Sequence, residues 1–133
     1  MDRTEKSIVR ALNRQRAAHG LARLRGSGNL ARAANYHSGE MVAHDYFGHN
    51  SRDGSSFDRR VRRFARHRAL GETLAMLGGC RPRSAGRVVR MWMNSPPHRA
   101  VVLSPGYRRV GIGKRVGRLG GRRACVVTAD FGG

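Results

Sequence analysis

A Pro-Pro pair stands directly behind an apolar run at Trp92-Met93-Asn94-Ser95-Pro96-Pro97-His98-Arg99, and it constrains the fold more than any other stretch. Neither ring donates a helical hydrogen bond, so a helix that opens at Ser84 and runs through Val88, Val89, Met91 and Trp92 must end there. The break places an imidazole, His98, immediately beyond a rigid element. Two other polar signals lie upstream. Phe47-Gly48-His49-Asn50-Ser51 puts a second histidine in a turn-rich segment, and Leu70-Gly71-Glu72-Thr73-Leu74 puts a lone carboxylate in an apolar one.

The remaining elements follow from periodicity. Glu5 to His19 reads as a helix with Ile8, Val9, Ala11 and Leu12 on one side and Gly20 as its stop. Leu21 to Leu24 is a short apolar link. Asn29 is the expected N-cap of a second helix, in which Leu30, Ala33, Ala34, His37 and Met41 recur at helical spacing to about His44. Asp45 to Gly54 reads as a loop carrying His49. Ser55 or Ser56 caps a short basic helix with Phe57, Val61 and Phe64 on its apolar face. Ala69 to Leu77 is a strand through Glu72, and Gly78 to Arg83 a loop. The runs Arg108 to Val116 and Arg123 to Phe131 are strands joined by a turn at Gly117 to Gly121. In the second, Cys125, Val127, Ala129 and Phe131 share one face, and Val126, Thr128 and Asp130 the other. Helices first, with strands in the middle and at the end, indicate an α+β fold.

At 133 residues the chain is expected to form one domain over residues 1–133. Such a domain buries roughly two thirds of its unfolded surface and needs neither metal nor disulfide merely to fold. No run of eighteen apolar residues is present, so no membrane-spanning segment is expected. Met1 to Lys6 lacks the apolar stretch of a signal peptide, which would have been removed from a secreted form. Of 27 basic residues against 8 acidic, all but Lys6 and Lys114 are arginine, for a net charge of +19. This excess suits an anionic surface or polymer. Specific nucleic-acid recognition is not expected, because few aromatics interleave with the arginines and no nucleic-acid module is visible. Cys80 and Cys125 form either one disulfide in an oxidising compartment or two small buried hydrophobes.

His37, Glu40 and His44 could share a helix face, but they lack the two-histidine i, i+4 spacing of zinc proteases, and His37 falls on the core stripe. His49, Glu72 and His98 make the better candidate site, since imidazoles and a carboxylate are ligand types that zinc accepts. No nucleophile elbow, phosphate loop or activated cysteine is apparent. Ser95 reads as helix-terminating chemistry.

Taken in order, Leu12-Asn13-Arg14-Gln15-Arg16 with Gly20-Leu21 and Leu24, His37-Ser38-Gly39-Glu40-Met41 leading to Tyr46-Phe47-Gly48-His49, Gly71-Glu72-Thr73, the Trp92 to Arg99 stretch, Gly106-Tyr107-Arg108-Arg109-Val110-Gly111-Ile112-Gly113 and Thr128-Ala129-Asp130-Phe131-Gly132 resemble the CAP superfamily in its small bacterial, SCP-like branch. The superfamily comprises cysteine-rich secretory proteins, antigen 5 and plant pathogenesis-related proteins. The resemblance implies an α-β-α sandwich with a central antiparallel sheet, an extracellular or wall-associated life, and a cleft with two histidines and two acids that binds divalent metal in some members. By position, His49 and His98 correspond to the histidines and Glu72 to the first acid. The second acid's position is held by Ser95, so zinc binding at His49 and His98 is expected to be weak and no cofactor is required. Thr73 replaces the usual asparagine. The resemblance further implies a monomer that acts by binding a lipid, wall polymer or protein. The alternatives are a metal-dependent hydrolase using the same cleft and electrostatic adhesion to an anionic surface or nucleic acid.

Overall fold

The computed structural model describes every residue from Met1 to Gly133. Helix α1 (Arg3–Ala18) starts on a capping box: Asp2 Oδ1 accepts from the Glu5 N–H at 2.9 Å, and Glu5 Oε1 accepts from the Asp2 N–H at 2.7 Å. It buries Ile8, Ala11 and Leu12 and is followed by Gly20 at φ +71°, a left-handed position suited to glycine. Strand β1 (Arg25–Gly26) is only two residues long, too short for any sequence periodicity to reveal.

Helix α2 (Gly28–Ala43) begins earlier than the sequence suggests. Ser27, not Asn29, is its N-cap, with Ser27 Oγ accepting from the Leu30 N–H at 3.2 Å. Asn29 instead lies inside the first turn and bonds Arg32. Helix α3 (Phe57–Val61), strand β2 (Leu70–Leu77), a single 3-10 turn (Pro82–Ser84) and helix α4 (Ala85–Met93) follow. The Pro-Pro pair ends α4 but also opens helix α5 (Pro96–Val102). Proline suits the first helical turn, where its missing N–H has no helical partner to lose. His98 therefore sits in the first turn of a helix and not in an irregular segment.

Strands β3 (Arg109–Leu119) and β4 (Arg122–Gly132) form a long hairpin closed by Gly120 and Gly121 at φ +57° and +79°. A two-residue turn with both φ values positive matches the twist of the strands. The turn is tighter than expected, and Gly117 lies within β3. The sheet order is β1-β3-β4-β2, antiparallel except that β1 runs parallel to β3, so the sheet is mixed rather than wholly antiparallel.

The two sheet faces are covered unequally. Cys125, Val127, Ala129 and Phe131 of β4 join Val110, Ile112, α1 and α4 in the main core, where Trp92 Nε1 donates to the Leu74 carbonyl at 2.8 Å. On the other face α2 lies against β3 and β4, with smaller apolar clusters around Leu30 and Val61 and around Met41 and Val126. The chain is an α+β sandwich with helices on both faces of the sheet. Arg16, fully buried on α1, ties the layers at one end by donating to the carbonyls of Ala22, Val102, Ser104 and Tyr107.

Helix α2 approaches the sheet unusually closely, and glycine makes this feasible. A Cβ on Gly111 would lie 2.0 Å from the Ala31 nitrogen, and one on Gly113 would lie 2.2 Å from the Asn35 nitrogen. These neighbours are helix backbone and cannot step aside individually, so Gly113→Ala is expected to push α2 off the sheet. The cost should be at least the ~1–3 kcal/mol typical of overpacking, read as a lower midpoint in urea. An unchanged midpoint would show that α2 floats freely over β3.

Candidate functional site

Two strands bring the acids together. Glu72 on β2 and Asp130 on β4 are register partners, so their side chains share the α2 face of the sheet. Both are buried, and Arg60 on α3 is fully buried over them. Arg60 Nη1 donates to Glu72 Oε2 at 2.8 Å, and Nη2 donates to Glu72 Oε1 at 3.1 Å. The two bonds form a fork that matches a carboxylate. Arg60 Nη1 also stands 3.6 Å from Asp130 Oδ2, and Nε stands 3.8 Å from Glu40 Oε1.

One guanidinium cannot neutralise two buried carboxylates, and the pair divides accordingly. Burial works to raise the Glu72 carboxyl, but bonds with Asp130, His49 and Arg60 outweigh it and hold Glu72 down at about 2. Burial, then the charge of Glu72, push Asp130 well above the ordinary aspartate range. No protein N–H or O–H group reaches either carboxyl oxygen of Asp130. Asp130 therefore faces Glu72 across the strands with its carboxyl biased toward the neutral form.

This assembly anchors His49. Its Nδ1 lies 2.9 Å from Glu72 Oε1, and its carbonyl accepts from Arg60 Nη2 at 2.8 Å. Because Glu72 is ionised, Nδ1 carries the proton and donates, leaving Nε2 as the free nitrogen. The His49 side chain nevertheless remains 45% exposed, so a solvent-facing imidazole is held from beneath by buried charges. His98 approaches from α5, its ring centroid 6.4 Å from that of His49, with Phe57 6.3 Å away on another side. Ser95 Oγ makes no helix-capping bond and instead pairs with His98 Nδ1 at 3.0 Å. Desolvation and then the nearby His49 lower the pKa of His98. The structure thus brings His49, Glu72, His98 and Ser95 to one place.

A second cluster fixes the loop that carries His49. Asp45, at φ 52°, turns the chain out of α2, and its Oδ1 accepts from the Gly120 N–H of the hairpin at 2.8 Å. His37 is buried; its Nε2 donates to the Gly48 carbonyl at 2.7 Å, and its Nδ1 faces Glu40 Oε1 at 2.7 Å. Burial tends to raise the Glu40 carboxyl, but bonds from His37, Ser51 and the Arg52 N–H bring it below its ordinary value. His44 is exposed and takes no part in these bonds. A cavity of about 470 Å³ opens beside His49, lined by His44, Tyr46, Gly48, Asn50, Ser51 and Arg52.

The donor set does not suit a resident metal. Both oxygens of Glu72 are already engaged by Arg60 and His49, and Asp130 is fully buried beneath Arg60. Two partly exposed imidazoles alone remain near each other, short of the three protein ligands of a catalytic zinc site. Glu72 is better placed to orient His49 than to bind an ion.

Arg60 and Asp130 are absent from the sequence-derived candidates. Asp130 carried a signal, as a carboxylate in a strand that is otherwise nearly all apolar. Arg60 carried a fainter one: it lies three residues after Phe57 and four before Phe64, on the apolar stripe of its helix.

Cys80 and Cys125 are bonded to each other across 45 residues, with a Cα separation of 5.8 Å. The bond tethers the loop after β2 to the central strand.

The model of the CAP, or cysteine-rich secretory protein, family matches residues 9–131. YkwD of Bacillus subtilis (strain 168), an uncharacterized protein, is 32% identical over 110 residues, covering 82% of this chain and 41% of the relative. The chain thus spans less than half the length of the curated relatives it matches. An extracellular, SCP-domain-containing protein of Bacillus anthracis superposes with a TM-score of 0.78 at 25% identity, over 96% of this chain and 39% of that one. An outer surface protein of Borrelia burgdorferi shares the fold, with a TM-score of 0.77 at 18% identity over 97% of this chain and 92% of that one. With the family model spanning all but the termini, the chain belongs to the CAP family.

Proposed function

We propose that this chain is a single extracellular or wall-associated CAP domain that acts by binding, with the cleft between His49 and His98 as its recognition site. The observation that carries this reading is the anchoring of a half-exposed imidazole by three buried charged or titratable groups, Glu72, Arg60 and Asp130. Buried polar networks are costly unless fully partnered, and here the network's exposed product is one oriented ring nitrogen. Preset donors and acceptors lower the entropy lost on binding. The cavity on the loop side of His49, which His98 does not line, is bordered mainly by polar residues, which favours a wall-polymer or protein segment over a lipid tail there. The extracellular placement draws support from the family, from the B. anthracis relative and from a disulfide, which persists in oxidising compartments.

The test is binding of the protein to purified Gram-positive cell walls, with His49→Ala and His98→Ala compared against the parent. At least a tenfold loss of affinity in each variant is expected. Retention of full affinity by both would remove the cleft from the function. Calorimetry with zinc alone supplies a second reading. Only weak binding is expected, from the two imidazoles, and tight one-to-one binding would mean that Glu72 leaves Arg60 to ligate metal.

A further inference from the structure

Away from the cleft, α1 and the β1 edge of the sheet enclose a groove of about 770 Å³ lined by Arg10, Arg14, Arg23, Arg25 and Arg109, with no acidic residue. Val9, Ala17 and Leu24 add apolar wall, and Asn13 fixes the floor through paired bonds with the Leu24 N–H and carbonyl. None of the five arginines lies within ion-pair distance of a carboxylate.

Their arrangement works against folding. Arg25 and Arg109 are register partners in the parallel β1–β3 pair, side by side on strands about 4.8 Å apart, and like charges so placed are unfavourable. Arg10 and Arg14 repeat the conflict at i, i+4 on α1, where like charges are also destabilising. Like-charged neighbours also meet elsewhere, as Arg118 and Arg123 do in register on the hairpin, but here two such pairs border one concavity that holds no carboxylate. A ligand with several negative charges would relieve both at once.

We propose that this groove binds a phosphodiester polymer with a sugar or polyol backbone. Guanidinium groups match phosphate oxygens with paired donors, and the groove's length along α1 suits a linear chain of charges. Single-stranded nucleic acid fits less well, because such sites stack bases on aromatic rings and no aromatic residue lines this groove. The site shares no residue with the His49 cleft, so its failure would leave the cleft reading intact.

The test uses poly(glycerol phosphate) as probe, with dextran, a single-stranded DNA oligomer and phosphatidylglycerol vesicles as comparators. The parent is expected to bind poly(glycerol phosphate) more tightly than any comparator, with affinity falling steeply as salt rises. The Arg14→Ala/Arg109→Ala variant should lose at least tenfold and show a shallower salt dependence. Arg122→Ala/Arg123→Ala, equal in charge change but at the far end of the β3–β4 hairpin, should lose no more than twofold. Without polymer, the groove variant should melt no lower than the parent, since it relieves one member of each like-charged pair. Equal losses in the two double variants would reduce the effect to net charge and overturn the proposal. Preference for DNA or vesicles would also overturn it, by naming a different occupant.

Discussion

The Arg60→Met variant is expected to lose about 3–5 kcal/mol of stability at neutral pH, the usual cost of removing one partner from a buried ion pair. Methionine approximates the arginine stem, so the loss reports the stranded charge of Glu72 and not a cavity. The pH dependence distinguishes this from a packing defect. In the parent, Glu72 is held at about 2 against an ordinary value of 4.5. Its contribution is therefore complete above about pH 4.5 and fades as the pH falls toward 2. Without Arg60 the sign reverses: Glu72 binds its proton more tightly folded than unfolded, so the variant gains stability as the pH drops below neutral. Urea midpoints of both proteins across pH 3 to 7 should converge toward the acid end. Parallel curves would show that Arg60 acts only by filling space.

Removing the Cys80–Cys125 bond is the second large effect. The bond joins positions 45 residues apart, and closing a loop of that size in the unfolded chain corresponds to about 4 kcal/mol in the chain-entropy account. The Cys80→Ala/Cys125→Ala variant is the appropriate test, because Cys125 is fully buried in the main core and alanine leaves no polar atom there. A loss of about 4 kcal/mol in chemical denaturation is expected, together with indifference to reductant. A loss below about 1 kcal/mol would mean that the β2–β4 pairing, rather than the tether, holds the post-β2 loop in place.

Much of the fold was legible because its long elements carry strong periodicity. The alternation in β4 correctly separated Cys125, Val127, Ala129 and Phe131, which meet α1 and α4, from Thr128 and Asp130, which face α2. What stayed hidden depended on tertiary neighbours. Strand β1 is two residues long and exists only because β3 offers an edge. Helix α5 was hidden because proline signals both the end of one helix and the start of the next. The choice of Ser27 over Asn29 as N-cap turns on where the chain leaves β1, which no local propensity encodes.

The site divides in the same way. His49, Glu72, His98 and Ser95 stood out as polar residues at the ends or in the midst of apolar elements. Arg60 was masked by the arginines around it, since Arg59, Arg62 and Arg63 are chemically identical and only the turn of α3 selects one for burial. Asp130 needed the strand register, which places it opposite Glu72 and beneath Arg60. Ser95 does stand at the junction between α4 and α5, and its hydroxyl in addition bonds the imidazole of His98.

Buried Glu72, backed by Arg60 and Asp130, presets the imidazole of His49 toward His98. Nitrogen-15 NMR of the histidine side chains tests this most directly, because the two ring nitrogens report which one bears the proton. Neutral His49 is expected to be locked as the Nδ1–H tautomer, with Nε2 free, and Glu72→Gln is expected to release it to a mixture. A parent spectrum with His49 as the Nε2–H tautomer, or already averaged between the two, would contradict it.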